Sequence, residues 1–304
     1  MSGGTLVAEG GATSLLPRCE FARAKVNLTL DIKGRRAGGY HELESLVLFA
    51  DFGDRLVYLG GEGGFSLEVD GPLAGACSAF AATNLIRTAA EAFAGLTGRT
   101  PRGTFRLTKN IPIAAGLGGG SADAAATLRL LAAAHAEPSD LAALAPIARK
   151  IGADVPVCLA SRAALMTGIG EKLHPLSAVE PVPAVLVNPM LPLATRDVFR
   201  ELKAAPLPAA SEPPVLPVFR DHDGLLAYAN ERANDLEAPA RRLLPVIGNI
   251  LGELERAPGA RLARLSGSGP TCFALFATGA EAQAAAATLA RAHPGWWVEA
   301  TRLS

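Results

Sequence analysis

Apolar and polar side chains alternate from the first patterned stretch of the chain onward. Val26, Leu28, Leu30 and Ile32 interleave with Lys25, Asn27, Thr29 and Asp31, the two-residue period of a strand with one covered and one wet face. The pattern predicts a strand over 21–32, with Lys25 and Asn27 pointing the same way onto a solvated face or toward one ligand. A glycine turn over 34–39 and Tyr40-His41 lead to a second strand over 43–49, and 51–70 reads as further strand broken by glycine turns. Helical spacing begins at Thr83-Asn84-Leu85 and runs to about Phe93, and a short strand follows over 104–108. Beyond the centre of the chain the pattern predicts a helix over 141–151 stopped by Gly152, a strand over 184–188 and a helix over 195–202. A Pro-rich loop over 205–217 separates these from helices over 224–229 and 238–255, the second kinked at Pro245. Strands over 263–265 and 271–277 flank a tight loop, and a helix over 280–292 and a strand over 297–303 finish the chain. Hairpins alternating with helices in this order give an α+β class, with no internal repeat.

One stretch breaks both periods. Gly116, Gly118, Gly119 and Gly120 fall within five residues, after Lys109 and Pro112 and before a long run of helix formers. Lacking Cβ atoms, such residues let backbone N–H groups close on a bulky anion. Ser121 is expected as the N-cap of the following helix and Asp123 in its first turn. A loop feeding a helix N-terminus is a ready phosphate site. It is neither a Walker A loop, which needs Gly-Lys-Ser/Thr, nor the G-x-G-x-x-G of a dinucleotide fold. A bare glycine cluster also fits a plain surface turn. The ordered set of lysine, proline, glycines and helix start is what favours the anion site. That helix should end near His135, a cation placed well for the dipole. Asp154, just before Val155-Pro156, reads on local geometry first as a helix N-cap.

Composition narrows the options. At 304 residues the chain suggests two domains of roughly 150 each. Its 29 basic and 29 acidic residues cancel, which argues against nucleic acid or an anionic membrane as partner. With six lysines against 23 arginines, an individual lysine is less readily dismissed as surface filler. Cys19, Cys77, Cys158 and Cys272 show no C-x-x-C spacing, so a buried, reduced set in a cytoplasmic protein is expected rather than a disulfide or zinc framework. No carboxylate is recognisable as a metal ligand, and Ser121 is the one hydroxyl candidate. No apolar run is long enough for a membrane span. Residues 1–16 lack a basic leader and are expected to be a disordered Gly/Ala-rich extension. A monomer or weak homodimer is expected.

Several motifs carry a family resemblance. Pro112-Ile-Ala-Ala-Gly-Leu-Gly-Gly-Gly-Ser121 resembles the ATP loop of the GHMP kinases, small-molecule kinases without a Walker A loop. Phe21-Ala-Arg-Ala-Lys-Val-Asn-Leu28 is similar to that family's first motif, with Arg23 where proline is usual. Gly152-Ala-Asp-Val-Pro156 resembles the segment of its catalytic aspartate, and Ser266-Gly-Ser-Gly-Pro270 its third motif. Gly34-Arg-Arg-Ala-Gly-Gly-Tyr-His41 and Asn234-Asp-Leu-Glu237 are similar to the branch acting on a cytidine-diphosphate-linked alcohol. Ala122 stands where that branch commonly has a second serine.

The resemblance implies a two-domain fold. An N-terminal ATP-binding domain over 18–175 would be similar to the second domain of ribosomal protein S5, and a ferredoxin-like C-terminal domain would span 180–304, with residues 1–17 outside both. It implies ATP and Mg²⁺, with Lys25 and Asp154 as the catalytic pair. Asn84, Leu85 and Lys109 would lie on the adenine side. Pro112, Ile113, Ala114, Ala115, Gly116, Leu117, Gly118, Gly119, Gly120, Ser121 and Ala122 would line the polyphosphate. Asn27, Tyr40, His41, Asp154, Thr195 and Phe199 would surround the acceptor. A family member acting on homoserine, mevalonate or a sugar, or an inactive ligand-sensing relative, is the alternative.

Overall fold

β3 (His41–Tyr58) is the strand on which the other strands assemble. In the computed structural model, which describes residues 17–61, 63–77, 85–99, 102–136, 140–177, 179–207 and 214–304, it pairs antiparallel with four neighbours of the N-terminal half. These are β1 (Arg18–Asn27), β2 (Asp31–Arg35), β5 (Thr104–Thr108) and β6 (Ala164–Gly168). β4 (Ser66–Asp70) extends the edge parallel to β5, and β7 (Lys172–Pro175) forms a hairpin with β6. After the single turn α1 (Ala74–Cys77), α2 (Leu85–Thr97), α3 (Gly119–His135), α4 (Ala145–Ile151) and α5 (Val155–Ala160) bury one core with these strands. The residues of the expected extension up to 16, the helix start at Thr83-Asn84 and positions 208–213 of the Pro-rich loop lie outside the described residues.

The C-terminal half adds β8 (Val182–Asn188), β9 (Ala260–Leu265), β10 (Cys272–Phe276) and β11 (Trp297–Leu303), in the spatial order β11-β8-β10-β9. Its helices are α6 (Thr195–Leu202), α7 (His222–Asn230), α8 (Glu237–Leu243), α9 (Val246–Arg256) and α10 (Gly279–Ala292). β11 joins this sheet to β3, with Leu303 opposite Ala50 and with Phe49 and Ser304 exchanging backbone hydrogen bonds of 2.9 and 3.0 Å. Arg23 fastens the same corner, donating to the carbonyls of Phe49 and Ala50 and to Ser304 Oγ.

The joint between the halves corrects the expectation for the first strand. Ala24, Val26 and Leu28 do face a shared core with Leu46, Leu48, Leu186 and Phe273. The opposite face is not wet, however: Lys25, Asn27 and Thr29 are also buried. The strand stops at Asn27, because Leu30 N turns to bond Ala233 O at 2.9 Å, and β2 starts afresh at Asp31.

Three further differences have local causes. The stretch 141–151 is a 3₁₀ turn followed by α4, with Pro146 in the first α turn, where a missing N–H costs nothing. Pro245 separates α8 from α9 rather than bending one helix. α3 begins at Gly119 instead of after Ser121, with Gly118 as its N-cap at φ 65° and no side-chain cap. Asp123 therefore falls beyond the first turn and points inward. Cys158 and Cys272 are buried as expected, whereas Cys19 is exposed beside Arg55.

Candidate active site

A cavity of about 590 Å³ opens where the glycine loop, β1, the start of α5 and the 266–270 loop converge. Ala114, Gly116 and Gly118 of the glycine loop all take positive φ, and Gly116 is the most constrained. A Cβ there would lie 2.4 Å from the carbonyl oxygen of Ser266. The Ser266 hydroxyl donates to Gly116 O at 3.0 Å, and Thr271 N donates to Ala115 O at 3.2 Å, so the C-terminal half holds the loop from behind. From the strand side, Lys25 N donates to Leu117 O at 2.8 Å.

Lys25, 4% exposed, places its Nζ 3.1 Å from Asp154 Oδ2 and 2.9 Å from Asn27 Oδ1. Asp154 occupies the N-cap position of α5 but caps nothing: its backbone is already right-handed helical, and its carboxylate turns to Lys25. The cap reading of this residue is therefore set aside. Gly118 is where backbone passes this pair, since a Cβ there would sit 3.2 Å from Lys25 Cε. The result is one ammonium and one partly exposed carboxylate facing a cavity beside the start of α3.

Lys109 is not a free cation. Its Nζ is held 2.5 Å from Asp54 Oδ2 and 2.9 Å from Asp123 Oδ2, all three side chains being buried. Asp54 Oδ1 also accepts from the backbone N–H groups of Asn110 and Ile111, which sets the direction in which the chain enters the glycine loop. Burial opposes the charge on Lys109, but the two carboxylates outweigh it and hold its pKa above the ordinary lysine value. Asp123 fares differently because two carboxylates share one ammonium and its Oδ1 has no donor. Burial raises its pKa to about 7, against the attraction of Lys109 and with the repulsion of Asp54.

On the other side Thr195 and Phe199 reach the cavity from α6, with Thr195 Oγ1 2.8 Å from Ser268 Oγ. Asn27 Nδ2 donates to Ser45 Oγ at 2.8 Å. Phe199 packs on His41, ring centroids 4.8 Å apart, and burial together with nearby Arg35 lowers the His41 pKa. Neither His41 nor Tyr40 lines the cavity, and Tyr40 is 65% exposed.

Most of the expected residues thus surround one space: Lys25, Asn27, Leu85, Lys109, Asp154, Thr195, Phe199 and, from the loop, Pro112, Ile113, Ala114, Ala115, Gly116, Gly118, Gly119, Gly120 and Ser121. Leu117 and Ala122 do not line the cavity: both side chains are buried in apolar cores, which leaves their backbone as what each could offer a ligand. Asn84 lies outside the described residues. Sequence reasoning missed Ser45, Asp123, Gly267 and Ser268 as wall residues, with apolar Leu43, Met166 and Ile169. Gly267 and Ser268 are legible in the sequence as part of the Ser266–Pro270 motif, which marks the loop but not the separate roles of its residues. The apolar residues carry no local signal.

The family model described as "GHMP kinases N terminal domain" matches residues 84–162, and that described as "GHMP kinases C terminal" matches residues 214–295. The 4-diphosphocytidyl-2-C-methyl-D-erythritol kinase of Rhodopseudomonas palustris (strain BisB18) is 50% identical over 289 residues, covering 93% of this chain and 94% of its own. The protein of the same name from Bradyrhizobium diazoefficiens is 49% identical over 292 residues, covering 94% and 97%. A crystal structure of 4-(cytidine 5'-diphospho)-2C-methyl-D-erythritol kinase superposes with a TM-score of 0.74 at 35% identity, over 94% of this chain and 99% of that one. Homoserine kinase from Cytophaga hutchinsonii, at 17% identity and a TM-score of 0.68 over 98% and 97% of the two chains, shares the fold.

Proposed function

The chain belongs to the GHMP kinases, and within them to the 4-diphosphocytidyl-2-C-methyl-D-erythritol kinases. From that premise we propose that it uses ATP to phosphorylate the C2 hydroxyl of 4-diphosphocytidyl-2-C-methyl-D-erythritol, in the non-mevalonate supply of isoprenoid precursors. The observation that carries this reading is the Lys25–Asp154 pair beside a glycine loop at a helix N-terminus, all facing one cavity. It also weighs against an inactive sensor, which has no use for a lysine–aspartate pair at the phosphate end.

Phosphoryl transfer to an alcohol asks for in-line placement and charge stabilisation rather than a strong base. A single helix N-terminus contributes only about 0.3–1 kcal/mol toward an anion. The reading therefore assigns the triphosphate to several N–H groups between Ile113 and Ser121 together. Lys25 adds a full charge where negative charge builds up on the transferring oxygens. Asp154 orients the acceptor hydroxyl and takes its proton. A carboxylate is a weak base for an alcohol, so the proton moves late, and orientation carries much of the effect.

Among the described residues no group of three His, Cys, Asp or Glu side chains could cage a metal. Asp154 and Ser121 line the cavity, and a carboxylate with a hydroxyl is a donor set that would suit Mg²⁺ brought in on nucleotide phosphates better than a resident ion. When bound there, Mg²⁺ would neutralise phosphate charge. Leu85, Leu107 and Pro112 form an apolar wall suited to adenine, with Asn84 adjacent in sequence. Phe199, backed by His41, and exposed Tyr40 are assigned to the cytosine, with Asn27 and Thr195 on the polar edge.

The division into units 18–175 and 180–304 is retained as part of the proposal, with a cytoplasmic monomer or weak dimer as the working form. Among the described residues no helix is long and apolar enough to cross a membrane. The test is ADP release with the cytidylyl alcohol, homoserine, mevalonate and galactose as acceptors. Turnover with the first alone is expected, and preference for any other overturns the substrate assignment.

A further inference from the structure

Asn234-Asp-Leu-Glu237 has no task in the chemistry above, and only Leu236 of the four lines the cavity. Yet Asn234 is 5% exposed and fully engaged. Its Nδ2 donates to Leu265 O and to Gly267 O, both at 2.8 Å, and its Oδ1 accepts from Leu236 N at 2.9 Å. The two carbonyls flank Ser266, so a single amide brackets that residue.

Ser266 is where three segments meet. Its hydroxyl donates to Gly116 O at 3.0 Å and accepts from Asn27 N at 3.2 Å. One buried hydroxyl thus ties the phosphate loop to the strand that carries Lys25. Gly267 fills the same junction, since a Cβ there would lie 3.1 Å from Asn27 Oδ1 and 3.2 Å from Gly116 O. Asn27 Oδ1 is in turn the acceptor for Lys25 Nζ. The segment also grips the break after β1: Asp235 N donates to Leu30 O at 2.9 Å, and Asp235 Oδ2 accepts from Ile32 N at 2.7 Å.

We infer that Asn234 is a positioning residue for phosphoryl transfer: by holding the carbonyls on either side of Ser266, it sets the spacing between the phosphate loop at Gly116 and Lys25 on β1. The inference rests on the kinase reading. An amide is the side chain the place requires, because it supplies two N–H donors for two carbonyls and one oxygen for Leu236 N. A carboxylate of the same shape keeps the acceptor, loses both donors and sets its charge against two carbonyl oxygens. A misplacement of about 1 Å far from the chemistry can cost roughly 10²-fold in rate.

The experiment measures kcat, both KM values and the thermal midpoint for the full chain and for Asn234→Asp, Asn234→Ala, Ser266→Ala and the Asn234→Ala/Ser266→Ala double variant. Assays are run below every midpoint. Asn234→Asp and Ser266→Ala are expected to lower kcat by about 10- to 100-fold with KM for the cytidylyl acceptor within about threefold. The double variant is expected to lose no more than the worse single one, because both act through one junction. Should Asn234→Asp fail to fold, Ser266→Ala and the coupling to Asn234→Ala still decide. Lowered midpoints with unchanged kcat, or losses that multiply in the double variant, overturn the inference and leave the kinase reading intact. A wild-type chain that releases no ADP with the cytidylyl acceptor overturns the kinase reading itself.

Discussion

Lys25 Nζ and Asp154 Oδ2 stand 3.1 Å apart, one on β1 and the other ahead of α5. Taking both charges from water offsets much of their attraction, so such a pair is a poor source of stability. Its place on a cavity wall, with the carboxylate still partly exposed, gives it a different use. Asp154 sits where an aspartate ordinarily caps a helix and forgoes the cap bond. That choice leaves a carboxylate beside an ammonium at the start of α3, where phosphate would lie.

Gly116→Ala tests the loop. Alanine at φ 75° costs about 1–2 kcal/mol in backbone strain alone. The added Cβ would in addition meet the Ser266 carbonyl at 2.4 Å, an atom that cannot swing aside. The thermal midpoint is expected to fall and the ATP dissociation constant to rise at least about tenfold. Gly120→Ala is the control for stability: its Cβ would meet Leu85 Cδ1 at 3.6 Å, an ordinary contact, and its midpoint should hold or rise. Thermal melts and nucleotide titration check both.

Phe199→Ala tests the acceptor side. Stacking of a base on an aromatic ring is worth about 1–3 kcal/mol, or roughly 5- to 150-fold in binding. KM for the cytidylyl substrate is expected to rise within that range while KM for ATP stays put. Equal increases in both would mean that Phe199 supports the cavity as packing against His41 rather than holding the base.

Asp123 gives a pH signature. Its pKa is raised from 3.8 to about 7 in the fold. Below about 4 both states hold the proton; between there and about 7 unfolding releases it, so stability from this group falls as pH rises, and the penalty is constant above that. Lys109, whose pKa is raised, keeps its charge in both states over this window and adds no slope. Asp123→Asn removes the penalty. Its thermal midpoint relative to wild type should therefore increase from pH 5 to pH 8, the subtraction cancelling the other carboxylates. A difference independent of pH would mean that Asp123 stays ionised throughout.

How far the sequence is legible follows the range of the interactions involved. The glycine loop, the strand over 104–108 and the helix over 195–202 depend on neighbours in the chain, and the structure has them where the pattern puts them. Val26 and Leu28 announce a core face correctly. The burial of Lys25 and Asn27 depends on α3 and on the 266–270 loop, which arrive from far along the chain and leave no trace in a two-residue period. The helix start at Gly119 escaped for a related reason: Ser121 is a good cap locally, but Gly118 must take positive φ to pass Lys25. The Asp54–Lys109–Asp123 triad joins β3, the end of β5 and α3: the sequence marks Lys109 as a candidate and Asp123 only as a first-turn carboxylate, and nothing local marks Asp54 as their partner.

Replacing Asp154 with asparagine changes one charge at the pair and little else, so turnover of Asp154→Asn probes the phosphoryl-transfer reading most directly. With saturating ATP and cytidylyl alcohol, kcat is expected to fall by about 10²–10⁴-fold while the ATP dissociation constant changes less than about threefold. A variant that turns over within a few-fold of wild type would contradict the assignment and reduce Asp154 to a structural partner of Lys25.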